Sequence, residues 1–217
     1  MLGSLLQAVR QTHPLIHCIT NTVTINDCAN ILLAAGASPI MADAVEEAAA
    51  VTARSQGLTL NLGTLHAERI PAMLASGRQA NASGIPAVLD PVGAGVSAFR
   101  AGAARQLLEA VQFAVIRGNL SEIRALADAG SHACGVDAGD SLTPQTLDAC
   151  LELAGQLARR TGAVVAVTGE TDLVTDGETA YCIHNGHPMM RSVTGTGCQL
   201  SCLAAAFVAG SPRQALQ

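Results

Sequence analysis

Residues 86–118 read PAVLDPVGAGVSAFRAGAARQLLEAVQFAVIRG, and this stretch decides the fold class. Its two ends, 86–90 and 113–118, are short apolar runs that predict buried strands, and 100–111 between them predicts a helix. Two strands that are joined through a helix lie parallel in one sheet, because a parallel pair needs a crossover connection. The stretch therefore predicts one unit of a parallel α/β fold.

The same alternation continues on both sides of this unit. Further strands are predicted at 15–20, 38–42, 58–62 and 163–169, and further helices at 23–35, 46–55, 68–80 and 145–160. Beyond them, 171–186 reads TDLVTDGETAYCIHNG and predicts two short antiparallel strands around the turn at 175–177. We therefore expect one α/β domain over 1–217, with helices on both faces of a mostly parallel sheet. The segment 129–143, rich in Gly, Asp and Ser, is the most loop-like part.

Composition argues against several classes of function. The net charge is −5, and all 12 basic residues are arginine, which excludes a lysine-containing P-loop and Schiff-base chemistry. With 2% aromatic residues and no basic run, we expect no nucleic-acid partner. The longest nearly apolar stretch, 31–42, is broken by Gly, Ser and Pro, so we expect no membrane span. Seven cysteines without a C-x-x-C pair, and no signal peptide, favour the cytoplasm.

Polar residues follow three predicted strands at the edge where parallel α/β proteins bind ligands. Asp90, Arg117 and Thr168 close strands, and Glu122 follows Arg117 by five residues. A pair of carboxylates suits Mg²⁺, which prefers oxygen ligands and is usually completed by substrate phosphates. An arginine beside them suits phosphate, because its planar guanidinium presents several donors at once.

Each of these residues also has a plain structural interpretation. The segment 119–122, NLSE, fits a helix start in which Asn119 is the cap and Glu122 reaches back. Asp90 before a proline fits a turn, and Arg117 fits an ordinary ion pair. Only the shared position at strand ends favours a functional role.

Residues 193–199 read VTGTGCQ and precede a small, apolar run that predicts a helix. Amide groups at the start of a helix form an anion site, so Gly195, Thr196 and Gly197 are predicted to form an anion hole. Cys198 at this helix terminus is expected to have a lowered pKa, which suits a nucleophile or a proton acceptor beside a phosphate. The plain alternative is a small residue that fits a crowded turn.

Eight motifs in order along nearly the whole chain carry a resemblance to a known family. They are HCITNTVTINDCAN (17–30), GASPIMA (36–42), NLGTL (61–65), DPVGAG (90–95), RGNLSEI (117–123), VTGETDLVTDG (167–177), HNGHPMM (184–190) and VTGTGC (193–198). In these motifs the chain resembles the hydroxyethylthiazole kinase family of the ribokinase-like superfamily. The resemblance implies a three-layer α/β/α sandwich and a homotrimer with active sites between neighbouring subunits. It also implies phosphorylation of 4-methyl-5-(2-hydroxyethyl)thiazole by ATP and Mg²⁺ in thiamine biosynthesis and salvage.

The resemblance also implies roles for single residues. Arg117 and Thr168 match nucleotide-binding positions of the family. Met41 and Gly195 match thiazole-binding positions, and Asn21 is a further candidate in the substrate pocket.

The same resemblance makes Asp90 and Glu122 the expected magnesium neighbourhood. It places Cys198 nearest the substrate hydroxyl, where other ribokinase-like kinases carry an aspartate base. A thiol suffices there if phosphoryl transfer passes through a loose transition state, in which positioning and charge neutralisation outweigh early proton removal.

Three alternatives stay open at this point. A thiol hydrolase or acyltransferase would use Cys198 as nucleophile and His184 or His187 as base. Family members usually continue for several dozen residues beyond position 217, so a second alternative is an inactive remnant that binds thiazole. Within the kinase class, the acceptor would be a different small alcohol.

Overall fold

The strands form one sheet in the computed structural model, which describes residues 2–128 and 146–211. They are β1 (Leu15–Ile19), β2 (Ser38–Ile40), β3 (Gly57–Asn61), β4 (Ala87–Asp90), β5 (Val115–Asn119), β6 (Val164–Thr168), β7 (Asp172–Thr175) and β8 (Ala180–Ile183). The order across the sheet is β2-β1-β3-β4-β5-β6-β7-β8. The first six strands run parallel, and β7 pairs in antiparallel fashion with both β6 and β8. The predicted mostly parallel sheet with late antiparallel strands is confirmed.

Helices connect these strands. They are α1 (Leu2–Thr12), α2 (Ile25–Ala35), α3 (Val45–Thr52), α4 (Arg69–Ala82), α5 (Ala98–Ala110), α6 (Leu120–Asp128), α7 (Leu147–Thr161) and α8 (Thr196–Gly210), with a 3-10 helix at Pro188–Ser192. All five helices predicted between strands are present, with ends shifted by up to three residues. Neither α1 nor the 3-10 helix is among the predicted elements, and the loop-like segment predicted at 129–143 lies outside the described residues.

Two apolar clusters make the fold a three-layer sandwich. One cluster joins the sheet to α3–α7 through buried side chains such as Met73 and Leu157. The other joins the opposite face to α1, α2 and α8, with Leu32 among its members. Consecutive strand residues alternate between the clusters, since Val88 belongs to the second and Leu89 to the first. The predicted α/β/α sandwich is confirmed.

The path of the chain creates a ligand-binding edge. It runs outward from β1 to β2 and then returns past β1 to β3, so the direction of winding changes between β1 and β3. In open α/β sheets, ligands bind beyond the carboxyl ends of strands at such a point. After β8, helix α8 returns across the sheet and packs against β1, β3 and β4. This packing brings the first turn of α8 to the carboxyl ends of β3 and β4.

None of the helices in the described parts of the chain has the length and apolarity that a membrane span requires.

Candidate active site

A buried carboxylate lies at the centre of the site. Asp90, the last residue of β4, has no exposed surface. Its Oδ2 accepts hydrogen bonds from Asn61 Nδ2 and Ser201 Oγ, each at 2.8 Å, and lies 3.6 Å from Arg117 Nη1. Within the described residues its Oδ1 is buried without a hydrogen-bond partner. Burial raises the pKa of Asp90 to about 6, against the opposing effects of Arg117, Ser201 and Asn61.

The thiol of Cys198 lies in the first turn of α8. It is buried, and its Sγ accepts a hydrogen bond from Asn61 Nδ2 at 3.3 Å. Burial raises the pKa of Cys198, a hydrogen bond with Thr24 opposes this, and the charge of Asp90 raises it further. The predicted lowering of this pKa is therefore wrong, because desolvation outweighs the dipole of the helix terminus. The group is a protonated thiol at neutral pH.

The start of α8 has the geometry expected of a Gly-x-Gly turn. Gly195 caps the helix with a φ of 83°, and its carbonyl accepts the first helical hydrogen bond, from the amide of Gln199. The amides of 196–198 consequently have no acceptor within the helix. A Cβ at Gly195 would lie 2.5 Å from Thr24 Cγ2, so both the φ value and the packing require glycine. The anion-binding role of this turn stays a prediction.

Arg117 links three strand ends to this turn. Its Nη2 donates to Thr168 Oγ1 at 2.6 Å, and its Nη1 lies beside Asp90. The guanidinium also lies against the backbone of α8, since a Cβ at Gly197 would meet Nη1 at 2.5 Å. Its Nε is buried and has no partner among the described residues. The structure thus brings Arg117, Thr168 and Asp90 together as expected.

Glu122 caps the start of α6, as its structural interpretation in the sequence predicts. Its Oε2 accepts from the amide of Asn119, and Asn119 Oδ1 accepts from the amide of Glu122, both at 2.9 Å. Its Oε1 accepts from the amide of Gly93 at 2.9 Å, which joins α6 to the loop after β4. The described residues contain no group of three or more His, Cys, Asp or Glu side chains placed to bind a metal. A metal-binding role for Glu122 stays a prediction.

The two remaining candidates lie on loops at the other end of the site. Asn21 follows β1, and its Oδ1 accepts from the amide of Val23 at 3.0 Å. Its side chain packs on the next loop, since a Cβ at Gly63 would lie 2.5 Å from Asn21 Nδ2. Met41 follows β2, is partly buried and packs against the apolar cluster that includes α2 and α8. These loops border the β1–β3 switch point, whereas Arg117 and Thr168 lie on β5 and β6.

Comparison with known proteins decides the family. The profile of the hydroxyethylthiazole kinase family matches residues 6–217. The hydroxyethylthiazole kinase of Clostridium beijerinckii is 50% identical over 206 residues, which cover 95% of this chain and 75% of that protein. The hydroxyethylthiazole kinase of Methanoculleus marisnigri is 50% identical over 207 residues, which cover 95% of this chain and 72% of that protein. The chain belongs to the hydroxyethylthiazole kinase family.

Solved structures agree with this family. A hydroxyethylthiazole kinase protein from Pyrococcus horikoshii OT3 is 38% identical with a TM-score of 0.85, over 95% of this chain and 75% of that one. An ADP complex of Bacillus subtilis pyridoxal kinase has a TM-score of 0.67 at 16% identity, over 92% of this chain and 85% of that one, which shows the fold alone. The ribokinase-like fold and the predicted enzyme class, a phosphotransferase, are confirmed.

Membership in a kinase family disfavours the thiol hydrolase alternative. Its candidate bases make their hydrogen bonds elsewhere: His184 Nδ1 lies 3.0 Å from Thr171 Oγ1, and His187 Nδ1 accepts from the amide of Met189. The family instead implies a nucleotide donor, with the divalent metal that kinases usually require.

Two side chains of this kinase site are absent from the sequence predictions. Asn61 is the last residue of β3 but the penultimate residue of the strand predicted at 58–62, so the prediction placed it inside the strand and assigned it no role. Ser201 is a buried polar residue inside an apolar helical run, one turn after Gly197, and its Oγ also lies 3.2 Å from the Gly197 carbonyl. A serine there indicates a polar neighbour, but the sequence alone does not identify that neighbour as Asp90.

Proposed function

We propose that this kinase transfers the γ-phosphoryl group of ATP to the hydroxyl of 4-methyl-5-(2-hydroxyethyl)thiazole, with Mg²⁺. One observation carries the proposal: the first turn of α8 lies between two sets of side chains at the carboxyl edge of the sheet. Arg117 and Thr168 lie on one side, and the loops of Asn21 and Met41 lie on the other. This arrangement suits a phosphoryl donor and an alcohol acceptor that meet above the helix terminus. Two relatives that are 50% identical to this chain are named hydroxyethylthiazole kinase.

The donor side consists of groups suited to phosphate oxygens. Thr168 holds the guanidinium of Arg117 in place, and the Nε of Arg117 still lacks a partner in the described structure. The amides at 196–198, which have no acceptor within the helix, lie at the positive end of α8. We propose that these groups bind the transferring phosphoryl group, because phosphoryl transfer depends mainly on positioning and charge neutralisation.

Asp90 and Glu122 are the residues that would hold Mg²⁺. The unpartnered, buried Oδ1 of Asp90 fits a hard cation with a preference for oxygen. Both oxygens of Glu122 already accept backbone hydrogen bonds, so phosphate oxygens and water would complete the coordination. When bound, the ion would neutralise charge on the transferred group.

Cys198 is the group that we assign to the acceptor hydroxyl. Burial raises its pKa and keeps it protonated, so its Sγ would accept a hydrogen bond from the hydroxyl and position it, and the hydroxyl proton would leave late, to an oxygen of the transferred phosphoryl group, after the new bond to phosphorus has begun to form. Asn61 holds the sulfur by a hydrogen bond, and the backbone of Gly195 would contact the thiazole. Met41 and Asn21 would contact the ring.

We propose a cytoplasmic homotrimer with active sites between subunits. Apolar side chains near the site loops are exposed to solvent in the single chain: Val23 at 65%, Met189 at 71% and Val193 at 56%. Large exposed apolar side chains of this kind are suited to a subunit interface. Light scattering on the purified protein tests the stoichiometry, with a mass three times the 22.0 kDa of one chain expected.

The proposed activity is tested by ADP release from ATP and Mg²⁺ with and without hydroxyethylthiazole. Thiazole-dependent release supports the kinase. A folded protein that binds thiazole without turnover is the inactive remnant. Hydrolysis of an activated ester without ATP, abolished by thiol alkylation, would instead support the hydrolase.

A further inference from the structure

One buried arginine ties together three loops at the substrate end of the site. Arg69, the first residue of α4, is only 7% exposed. Its Nε and Nη2 donate to Asp43 Oδ2 at 3.1 and 2.7 Å. Its Nη1 donates to the carbonyl oxygen of Thr20 at 3.2 Å. A residue that follows β3 thereby holds the loop after β1 and the loop after β2.

Both anchor points adjoin candidate substrate residues. Thr20 immediately precedes Asn21, and Asp43 follows Met41 by two residues. A guanidinium is planar and rigid, so the distance between its two acceptors is fixed within narrow limits. Arg69 consequently links the backbone next to Asn21 to a side chain two residues after Met41.

A second contact anchors each of these loops independently. Thr64 Oγ1 accepts from the amide of Thr22 at 3.0 Å, and Thr64 adopts a φ of 46°, which is unusual for a β-branched residue. On the other loop, Nε2 of the buried His17 lies 2.7 Å from the carbonyl oxygen of Ala42. Strained backbone persists where surrounding contacts enforce it, and it concentrates at binding sites. The contacts of Arg69, Thr64 and His17 together anchor the loops after β1 and β2.

We propose that Arg69 is a positioning residue of the acceptor pocket, which fixes the separation of Asn21 and Met41 and thereby sets the affinity for the thiazole. The inference rests on the proposed function. It predicts a selective effect, because the bonds of Arg69 all lie at the ends of β1 and β2, whereas Arg117 and Thr168 lie on β5 and β6.

Two substitutions test opposite ends of the same ion pair. Arg69→Met keeps the apolar length of the side chain and removes every donor, while Asp43→Asn keeps the shape of the acceptor and removes its charge. Arg159→Met is the matched control, since Arg159 makes an exposed ion pair with Glu152 on α7. Calorimetric binding and steady-state kinetics give Kd and KM for hydroxyethylthiazole and for ATP separately.

We expect Arg69→Met to raise Kd and KM for the thiazole by about tenfold and to leave KM for ATP within about twofold. Asp43→Asn is expected to raise the thiazole values by about threefold, and Arg159→Met to leave both substrates unchanged. If Arg69→Met fails to fold, Asp43→Asn alone decides the test.

Unchanged thiazole values in the folded variants would overturn the inference. Equal weakening for both substrates would also overturn it, because that result indicates a general structural role. Failure of the proposed function is distinguishable, since it would appear as absent thiazole binding and turnover in the unsubstituted protein.

Discussion

Asn61 and Asp90 are partners in the last register pair of β3 and β4, and Asn61 Nδ2 donates to Asp90 Oδ2 over 2.8 Å. The same Nδ2 donates to Cys198 Sγ, so one amide group connects the carboxylate to the thiol at the start of α8. Strand register and the packing of α8 on the sheet therefore together fix the relation between the two groups whose chemistry the proposed reaction needs.

Removing this amide should uncouple the two groups. We expect Asn61→Ala to lower kcat by about tenfold or more, because Asp90 and Cys198 both lose a buried hydrogen bond. Asn30→Ala is the control, since Asn30 is exposed on α2 and its amide contacts only Asn26 among the bonds described. Steady-state ADP release measures the effect, and a kcat equal to that of the control would contradict this role.

The buried carboxyl of Asp90 should make stability depend on pH. Burial raises its pKa from 3.8 to about 6, so the folded chain binds the proton more tightly than the unfolded chain. The free energy of unfolding should therefore fall as pH rises from about 4 to about 6 and then level off. The Asp90→Asn variant cannot ionise at this position, so its free energy of unfolding lacks this pH dependence. The free energy of unfolding of the variant minus that of the unsubstituted protein should therefore rise by about 2 to 3 kcal/mol as the pH rises through this range.

Urea unfolding of Asp90→Asn and of the unsubstituted protein at several pH values, without divalent metal, measures this difference in the free energy of unfolding. A constant difference between pH 4 and pH 7 would show that its pKa is not raised in the folded protein.

Substitution of Cys198 tests the late proton transfer. A carboxylate can accept the hydroxyl proton at neutral pH, whereas a thiol that burial keeps protonated cannot, so Cys198→Asp should retain or raise kcat. Cys182→Asp, on the exposed strand β8, serves as a matched control that leaves kcat unchanged. Collapse of turnover in a folded Cys198→Asp oligomer would exclude a proton-accepting role at this position.

The cap of α8 should be intolerant of a side chain. Gly195→Ala adds a Cβ against Thr24 at a φ of 83°, and we expect a loss of at least about 2 kcal/mol in unfolding free energy. Gly162→Ala, at a φ of 71° with nothing within 4 Å of the new Cβ, should cost only about 1 kcal/mol. Thermal unfolding compares the two, and equal losses would show that packing against Thr24 contributes nothing.

Much of the fold could be predicted because its information is local. The strands β3–β6 each contain a short apolar run, and the turn after Thr175 separates two short strands in the sequence itself. Helix α1 has a local signal that the prediction did not use, because Leu2, Leu5, Leu6 and Val9 recur at helical spacing. Its apolar face packs against α8.

The site could be predicted in part for the same reason. Asp90, Arg117 and Thr168 end or nearly end predicted strands, and the parallel topology brings their side chains together. The pKa of Cys198 was not predictable in this way, because its burial follows from the return of α8 across the sheet. The bonds from Asn61 and Ser201 to Asp90 likewise depend on strand register and on that long-range packing.

The most direct test of the proposed function is phosphorus NMR of a reaction that contains the protein, ATP, Mg²⁺ and hydroxyethylthiazole, beside the same mixture without thiazole. The account predicts a phosphate monoester signal that appears only with thiazole and grows in step with ADP. ADP without the monoester, or no thiazole-dependent change in a folded protein, would contradict it.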